Sequence, residues 1–552
     1  MTSPNGPRTG RPPTYAPRGV VATSHHLASS AGLRALSRGG SAVDAAIAAN
    51  AVLCVAYPHM AGLGGDGFWL IHDPRQGGVQ ALNASGGAAA LASREYYAER
   101  GHRDRIPSRG PLAALTVPGA VDGWHQVQAR HGRLPWAELF EDAILLARGG
   151  VPVGRSLADW LVQDRDLLRE HVAAGRIFLP GGQIARAGEK LVQEDLARSF
   201  ELLAREGARG AFYEGELAER LCAGVEAGGS PLRPADFANF QAEWTQPVST
   251  TYRGKTVYEF PPNTQGFVAL QLLNLLEGYD VRAWGDGSAD YYHHIAEAVK
   301  LAFADRDHWL TDPKFLDIPL ERLTSKAYAD ERRTLISSME ARDMASAEPG
   351  ERGPHAARRR SPEGDTCAFC AVDEDGLAVS VIQSIYHDFG SLAVGGDTGI
   401  LLQNRGSFFS LDPEHPNTLE SGKRTFHTLI PAMMFDGSDF EMAFGTMGGE
   451  GQPQTHVALL TRLIDFGYDV QQAIEAPRWL MGRTWGTASQ DLSLEGRIGD
   501  EVARELLRRG QPVKMLTDWN DNMGHAQAIR RTRHGFLEGG ADPRGDGSAA
   551  GY

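Results

Sequence analysis

Gly364-Asp365-Thr366-Cys367-Ala368-Phe369-Cys370-Ala371-Val372-Asp373 is the point at which this chain changes character. Upstream, residues 351–364 are polar and studded with arginine; downstream, a β-type run opens on a hydroxyl-bearing Thr. A cut before Thr366 would give that residue a free α-amine beside its own hydroxyl. One residue would then supply both the nucleophile and the general base of an acyl transfer. An Asp-Thr pair is also an ordinary turn-to-strand joint, so the surrounding sequence has to choose between the two readings.

Beyond Thr366 the residues 369–373, 377–385, 432–435 and 440–444 are strand-like, separated by the turn signals Glu374-Asp375-Gly376 and Asp436-Gly437-Ser438. The last of these strands runs into Gly445-Thr446-Met447-Gly448-Gly449, and a long helix is predicted over about 454–466. Upstream, Ser41 and Asp44 form a capping-box pattern that opens a small-residue, buried helix. Gly62-Leu63-Gly64-Gly65-Asp66-Gly67 follows it and precedes the strand-like Phe68-Trp69-Leu70-Ile71. That order reverses a dinucleotide fingerprint, so a close backbone turn is expected instead. Residues 135–220 are largely helical, 256–260 form a short strand, and helices are predicted over 267–276 and 290–305. The charged stretch 337–362, poor in large apolar groups, is expected to be a mobile linker. Strands gathered together with helices around them suggest an α+β architecture of stacked sheets between helical layers.

Composition narrows the function classes. The chain has 552 residues, 42% hydrophobic and 22% charged, which suits several domains or one large layered unit. A formal net charge of −14 argues against nucleic acid and against an anionic membrane surface. No apolar run approaches the roughly 20 residues that span a bilayer, and residues 1–17 show no apolar signal core, so a cytoplasmic location is the expectation. Cys54, Cys222, Cys367 and Cys370 are too few for a disulfide framework, and Cys367-x-x-Cys370 lacks a second ligand pair, so these cysteines are read as structural. A nucleophilic Cys367 with Cys370 as redox partner is the alternative. The pairs His25-His26 and His293-His294 also fail metal spacing and are expected at the surface or as caps. No metal and no cofactor are expected.

Ordered blocks along nearly the whole chain resemble the γ-glutamyltransferase family of N-terminal-nucleophile hydrolases. They include Gly39-Gly40-Ser41-Ala42-Val43-Asp44-Ala45-Ala46, the 62–67 glycine cluster, Thr116-Val117-Pro118-Gly119, Gly399-Ile400-Leu401-Leu402, residues 444–449 and 473–478, and Asp542-Pro543-Arg544-Gly545-Asp546-Gly547. The resemblance implies a precursor that cuts itself between Asp365 and Thr366, leaving two chains in one four-layer αββα sandwich. A flexible 1–19 would precede a large subunit, 20–365, and the small subunit would be 366–552. It also implies Thr366 as nucleophile, Gly448 and Gly449 as oxyanion-hole glycines, and Ser384 as a second hydroxyl orienting the Thr. Without the resemblance, the glycine pair reads as a turn and Ser384 as strand polarity. His427 and Thr428 fall on two adjacent serines of the family's substrate pocket; either could instead satisfy local backbone groups.

The family's grip on a γ-glutamyl group is missing. The Arg that would hold the α-carboxylate falls near Ser85, the acid that would hold the α-ammonium falls on Phe408, and an assisting Asn becomes Tyr386. An unpaired buried charge costs on the order of 3 to 5 kcal/mol, so a glutamyl substrate is disfavoured. Arg405, next to Asn404, stands where better-known members have a neutral amide; it could hold a carboxylate in a fork or serve as a salt-bridged loop residue. Asn404-Arg405-Gly406, Phe426-His427-Thr428-Leu429-Ile430-Pro431 and Arg478-Trp479 look like a divergent branch that includes oxamate amidohydrolase and deacylases of glutaryl-type β-lactam side chains. The expected function is hydrolysis of a small carboxylate-bearing, oxamate-like amide through an acyl-enzyme. The expected partners are that substrate and the protein's own two processed chains as a heterodimer, open to further pairing. A γ-glutamyltransferase or glutathione hydrolase, and an uncut, non-catalytic scaffold, are the alternatives.

Overall fold

The computed structural model describes residues 10–351, 365–482 and 489–552; the remainder of the 337–362 stretch beyond 351 lies outside them. Two seven-stranded sheets, antiparallel at every pairing, make the centre of the molecule. One runs in hydrogen-bonded order Ser548–Gly551, Val20–Thr23, Asp365–Val372, Ala378–Tyr386, Asp66–His72, Gln80–Ala84 and Glu243–Thr245. The other runs Thr14–Ala16, Leu537–Ala541, Ala526–Arg531, Asp439–Thr446, Ala432–Asp436, Lys255–Glu259 and Val248–Tyr252.

Three apolar cores separate four layers. Because side chains alternate along a strand, Cys367, Phe369 and Ala371 enter a core shared with the helices on one outer face. Ala368, Cys370 and Val372 enter the core between the sheets, where they meet Met433, Ala443 and Ile529 of the second sheet. The outer face of the second sheet packs on helices Gly266–Glu277, Ala289–Trp309 and Gln452–Ile464. The fold is therefore the αββα sandwich of N-terminal-nucleophile hydrolases, and the Thr366 strand lies inside it, paired on both edges.

Ala42–Ala56 is buried at all 15 positions, which its small side chains permit. Its predicted capping box is present: Ser41 Oγ accepts the Asp44 N–H at 3.1 Å and Asp44 Oδ2 accepts the Ser41 N–H at 2.8 Å. The Ala42 N–H donates to Asp373 Oδ2 at 3.0 Å, which pins the start of this helix to the far end of the Thr366 strand. The 62–67 cluster is the expected backbone turn. A Cβ on Gly64 would stand 2.1 Å from the Leu401 carbonyl oxygen and one on Gly65 would stand 2.4 Å from that of Ser384, so only glycine allows the approach.

One histidine pair falls as expected and the other does not. His25 caps, its Nδ1 accepting the Leu27 N–H at 3.2 Å, and His26 is exposed. His293 and His294 are neither surface nor capping residues. They are buried inside Ala289–Trp309, where His293 meets the Ser337 carbonyl at 2.8 Å and His294 the Asp290 carbonyl at 2.7 Å. That helix is longer than predicted because its polar face is also covered: residues 337–351 pack along it. Lys300 Nζ donates to the Arg342 carbonyl at 2.6 Å, and the Gly350 N–H donates to Asp305 Oδ1 at 2.9 Å. A charged, apolar-poor stretch is thus tied down by buried ionic and polar groups that periodicity does not register. Among the described residues no helix is long and apolar enough to cross a membrane.

Candidate active site

Thr366 is fully buried in Asp365–Val372, next to Ala378–Tyr386. Asp365 opposes Tyr386 and Cys367 opposes Gln383, so Ser384 and Ile385 together face Thr366 alone. Such a bulge bends the strand and re-aims its side chains. Tyr386, at the end of the bulge, has φ 81°, a strained backbone for a bulky residue. Ser384 Oγ accepts the Tyr386 N–H at 2.7 Å, and in the next strand pairing Ser384 stands opposite Asp66. The sequence-predicted Thr366, Ser384 and Tyr386 therefore meet at one irregular spot in the sheet.

The second sheet delivers the glycines. Ser380 Oγ donates to the Phe444 carbonyl at 2.7 Å, and a Cβ on Gly445 would lie 3.4 Å from Ala368 Cβ. Ser380 is the partner of Cys370, so each step forward along Asp439–Thr446 moves back towards Thr366. The chain then turns at Gly448 (φ 131°) and Gly449 (φ 51°), both in conformations that a side chain would strain. Gln265 fixes this turn: its Nε2 donates to the carbonyls of Gly449 and Thr428, both at 3.0 Å, and its Oε1 accepts from Arg306 Nη1 at 3.2 Å.

Arg405 lies at the centre of the remaining candidates and is fully buried. Its Nη2 donates to Ser384 Oγ at 3.1 Å and its Nη1 to Thr428 Oγ1 at 3.2 Å. The guanidinium lies 4.2 Å from the Tyr386 ring centroid and 5.5 Å from that of Phe408. Tyr386 and Phe408 stack at 4.4 Å, and Phe426 meets Phe408 edge-on at 4.7 Å. Aromatic faces thus surround the Arg405 cation. Among the described residues no carboxylate lies within ion-pair distance of Arg405. Burial brings its pKa down to about 10, with Tyr386 and Asp66 opposing the shift, so it stays charged at neutral pH.

Asp66 was quoted in the glycine cluster but given no role by the sequence; a carboxylate between two glycines at a strand start was the available signal. It is buried, its Oδ1 accepts the N–H groups of Gly119 at 3.1 Å and Gly86 at 3.3 Å, and its Oδ2 lies 3.2 Å from His427 Nε2. Burial pushes Asp66 up to about 7 although Gln403 and Arg405 pull it down. Burial, and then the Arg405 charge, hold His427 well below the ordinary imidazole value, so it is neutral.

Other candidates are committed elsewhere. Asn404 Oδ1 accepts the His387 N–H at 3.0 Å and its Nδ2 donates to the Ser108 carbonyl at 2.6 Å, so this side chain holds two loops together. Ser85 hydrogen-bonds Asn83 at 2.6 Å. Arg424 reaches the Ser85 carbonyl at 3.0 Å, but Glu243 takes its guanidinium at 2.7 Å, so it does not replace the missing carboxylate grip. Cys367 and Cys370 form no disulfide among the described residues and are buried on opposite faces of their strand, and burial pushes the Cys370 thiol up to about 12. A buried neutral thiol is a poor nucleophile. Incubation with iodoacetamide under native conditions is therefore expected to leave activity within twofold of the untreated protein; loss of activity would revive the thiol reading. The described residues contain no cluster of His, Cys, Asp or Glu suited to a metal.

Comparison with known proteins agrees with this architecture over the whole chain. The family profile for gamma-glutamyltranspeptidase matches residues 28–552. The glutathione hydrolase-like YwrD proenzyme of Bacillus subtilis is 46% identical over 96% of this chain and 98% of its own length. The oxamate amidohydrolase proenzyme of Klebsiella pneumoniae is 44% identical over 97% of this chain and 98% of its own. The crystal structure of cephalosporin acylase from Bacillus halodurans superposes with a TM-score of 0.90 at 36% identity, covering 100% of this chain and 99% of that one. The chain belongs to the γ-glutamyltranspeptidase family and is an N-terminal-nucleophile hydrolase.

Proposed function

We propose that this enzyme is a self-processing Thr amidohydrolase whose substrate is a small amide bearing a carboxylate and no α-ammonium, oxamate being the model compound. The observation that carries this reading is Arg405: a buried guanidinium held by two hydroxyls and two aromatic faces, with no carboxylate partner among the described residues. A buried cation without a counter-charge is costly, and a substrate carboxylate would supply one in fork geometry. The absence of an acid at Phe408 agrees, since no ammonium then needs a partner.

In the precursor, Thr366 Oγ attacks the Asp365 carbonyl and displaces the Thr366 nitrogen, which takes up the hydroxyl proton and becomes a free amine. Water then hydrolyses the resulting ester, leaving an Asp365 carboxylate and an N-terminal Thr366. In turnover, that amine removes the proton from Thr366 Oγ as the oxygen attacks the substrate amide. Backbone N–H groups at Gly448–Gly449 receive the oxyanion. The amine returns its proton to the leaving nitrogen, ammonia departs, and water attacks the acyl ester with the same amine as base. For oxamate the products are oxalate and ammonia. The two-chain heterodimer belongs to this proposal.

Hydrolysis of oxamate, followed by ammonia release, tests the reading against a γ-glutamyl anilide. Activity on the anilide alone would sink it.

The Asp66–His427–Arg405 arrangement gives the site a pH dependence. As pH rises through about 7, Asp66 ionises near Arg405 and offsets its charge. The KM for the carboxylate substrate is expected to rise several-fold between pH 6 and 8, with Asp66→Asn flattening that rise; a wild-type KM constant over this range would count against it. Because the folded value of about 7 exceeds the ordinary 3.8, the folded state holds this proton more tightly. The stability contributed by this group is therefore greatest below about pH 4 and falls as pH climbs to 7.

A further inference from the structure

We propose that His525, oriented by Asp521 and Tyr57, is a positioning residue that sets the oxyanion turn at Met447–Gly449. The inference rests on the proposed role of Gly448 and Gly449, but on different residues and contacts.

Two main-chain contacts tie His525 and its neighbour to the turn. The His525 carbonyl accepts the Met447 N–H at 3.0 Å, which fixes the Thr446–Met447 peptide leading into the turn at Gly448. Gly524 packs against the same turn: a Cβ on Gly448 would stand 3.3 Å from Gly524 Cα, and one on Gly524 would stand 2.2 Å from the Met447 carbonyl oxygen. The turn and the 524–525 segment are thus in backbone contact, with no side chain between them to absorb a displacement.

The His525 side chain is in turn held at both ring nitrogens. Nε2 lies 2.5 Å from Asp521 Oδ1, and Nδ1 lies 3.4 Å from Tyr57 OH. Tyr57 OH donates to Ser156 Oγ at 3.0 Å, and Ser156 Oγ lies 3.1 Å from His59 Nε2. The His59 carbonyl accepts the Phe389 N–H at 2.9 Å, and the Met60 carbonyl accepts that of Ile385, inside the bulge facing Thr366, at 3.3 Å. Side-chain contacts from His525 to His59, continued by the main chain of His59–Met60, therefore link the oxyanion turn to the bulge that carries Ser384. His525 is 1% exposed by side chain while Asp521 is 36% exposed, so one end of the network reaches solvent. The neighbouring His525 holds the Asp521 carboxyl below its ordinary value although burial opposes this, so it is ionised at neutral pH. Tyr57 is pushed well above the ordinary phenol value, chiefly by burial, so it remains a neutral donor.

Small errors in donor placement cost rate rather than binding, because the oxyanion exists only in the transition state. His525→Ala and Asp521→Asn are expected to lower kcat on oxamate by about 10- to 100-fold with KM within about twofold, and to slow self-cleavage to a similar extent. His525→Gln, whose amide can meet one of the two partners, should recover part of the loss. A role confined to stability would instead lower the melting temperature and leave kcat per folded enzyme unchanged, which would overturn the proposal; so would a rise in KM at constant kcat. Should His525→Ala fail to fold, Asp521→Asn, altered at the solvent end, carries the test with the same two outcomes. Wild-type protein measured alongside separates the readings. If it neither cleaves nor hydrolyses, the Thr366 mechanism falls and this role with it; a competent wild type with unaffected variants overturns this role alone.

Discussion

Thr366→Ala is expected to remain a single 552-residue chain on denaturing electrophoresis, whereas the wild type resolves into pieces of 365 and 187 residues. The smaller piece should begin at Thr366 by N-terminal sequencing. Removing the hydroxyl removes the attacking atom of both self-cleavage and turnover, so amide hydrolysis should fall by about four orders of magnitude or more. Neither step can be taken over by the adjacent thiols, since Cys367 points into the helix-side core and Cys370 is a neutral buried thiol. Thr366→Ser retains the nucleophile but loses the methyl that restricts χ1, so it should still cleave, more slowly. The substitution itself is small and sits in a strand paired on both edges, so the folded state should survive. A wild type that stays whole after long incubation, or a Thr366→Ala chain that cuts at the same bond, would refute the mechanism.

Arg405→Gln is the second large effect. Gln keeps a hydrogen bond to Ser384 or Thr428 but supplies no charge. Loss of a buried charge-to-charge contact with the substrate costs roughly 3 kcal/mol, a factor of about 100. That loss should appear mainly in kcat/KM for oxamate. An uncharged amide of the same size should lose far less, because it never used the guanidinium. Arg405→Lys is expected to recover little: an ammonium is a single point charge and cannot span Ser384, Thr428 and a carboxylate at once. Equal losses on the charged and uncharged amides would mean that Arg405 only holds the loop together. Measuring both substrates in one series makes the distinction.

Local sequence was informative where the signal is short-range. The capping box at Ser41 and Asp44, the strand beginning near Thr366 and the glycine turn at 62–67 each depend on neighbours a few residues apart, and each is found as expected. Motif resemblance supplied the four-layer arrangement, because pairing of Val20–Thr23 with Asp365–Val372 joins residues some 350 apart by number, far beyond any periodicity. Burial of polar residues was misread for the same reason. His293, His294 and residues 337–351 look like surface by composition, yet they cover one another through contacts such as His293 with Ser337 and Lys300 with Arg342.

The candidate site divides along the same line. The sequence by itself singled out Thr366 as a candidate; the family resemblance set Gly448–Gly449 and Ser384 beside it and marked Ser85, Tyr386 and Phe408 as departures from the family's γ-glutamyl grip. Tertiary structure decided what surrounds each candidate. It placed Arg405 against Ser384 and Thr428 under an aromatic wall, brought the unassigned Asp66 to His427, and removed Asn404 to a loop-holding task. The physical reason is that residue chemistry is written locally, whereas the charge state and availability of a side chain depend on which distant groups exclude water from it. In the sequence Arg405 reads either as a carboxylate fork or as a salt-bridged loop residue; burial among hydroxyls and rings, with no carboxylate at ion-pair distance among the described residues, favours the first.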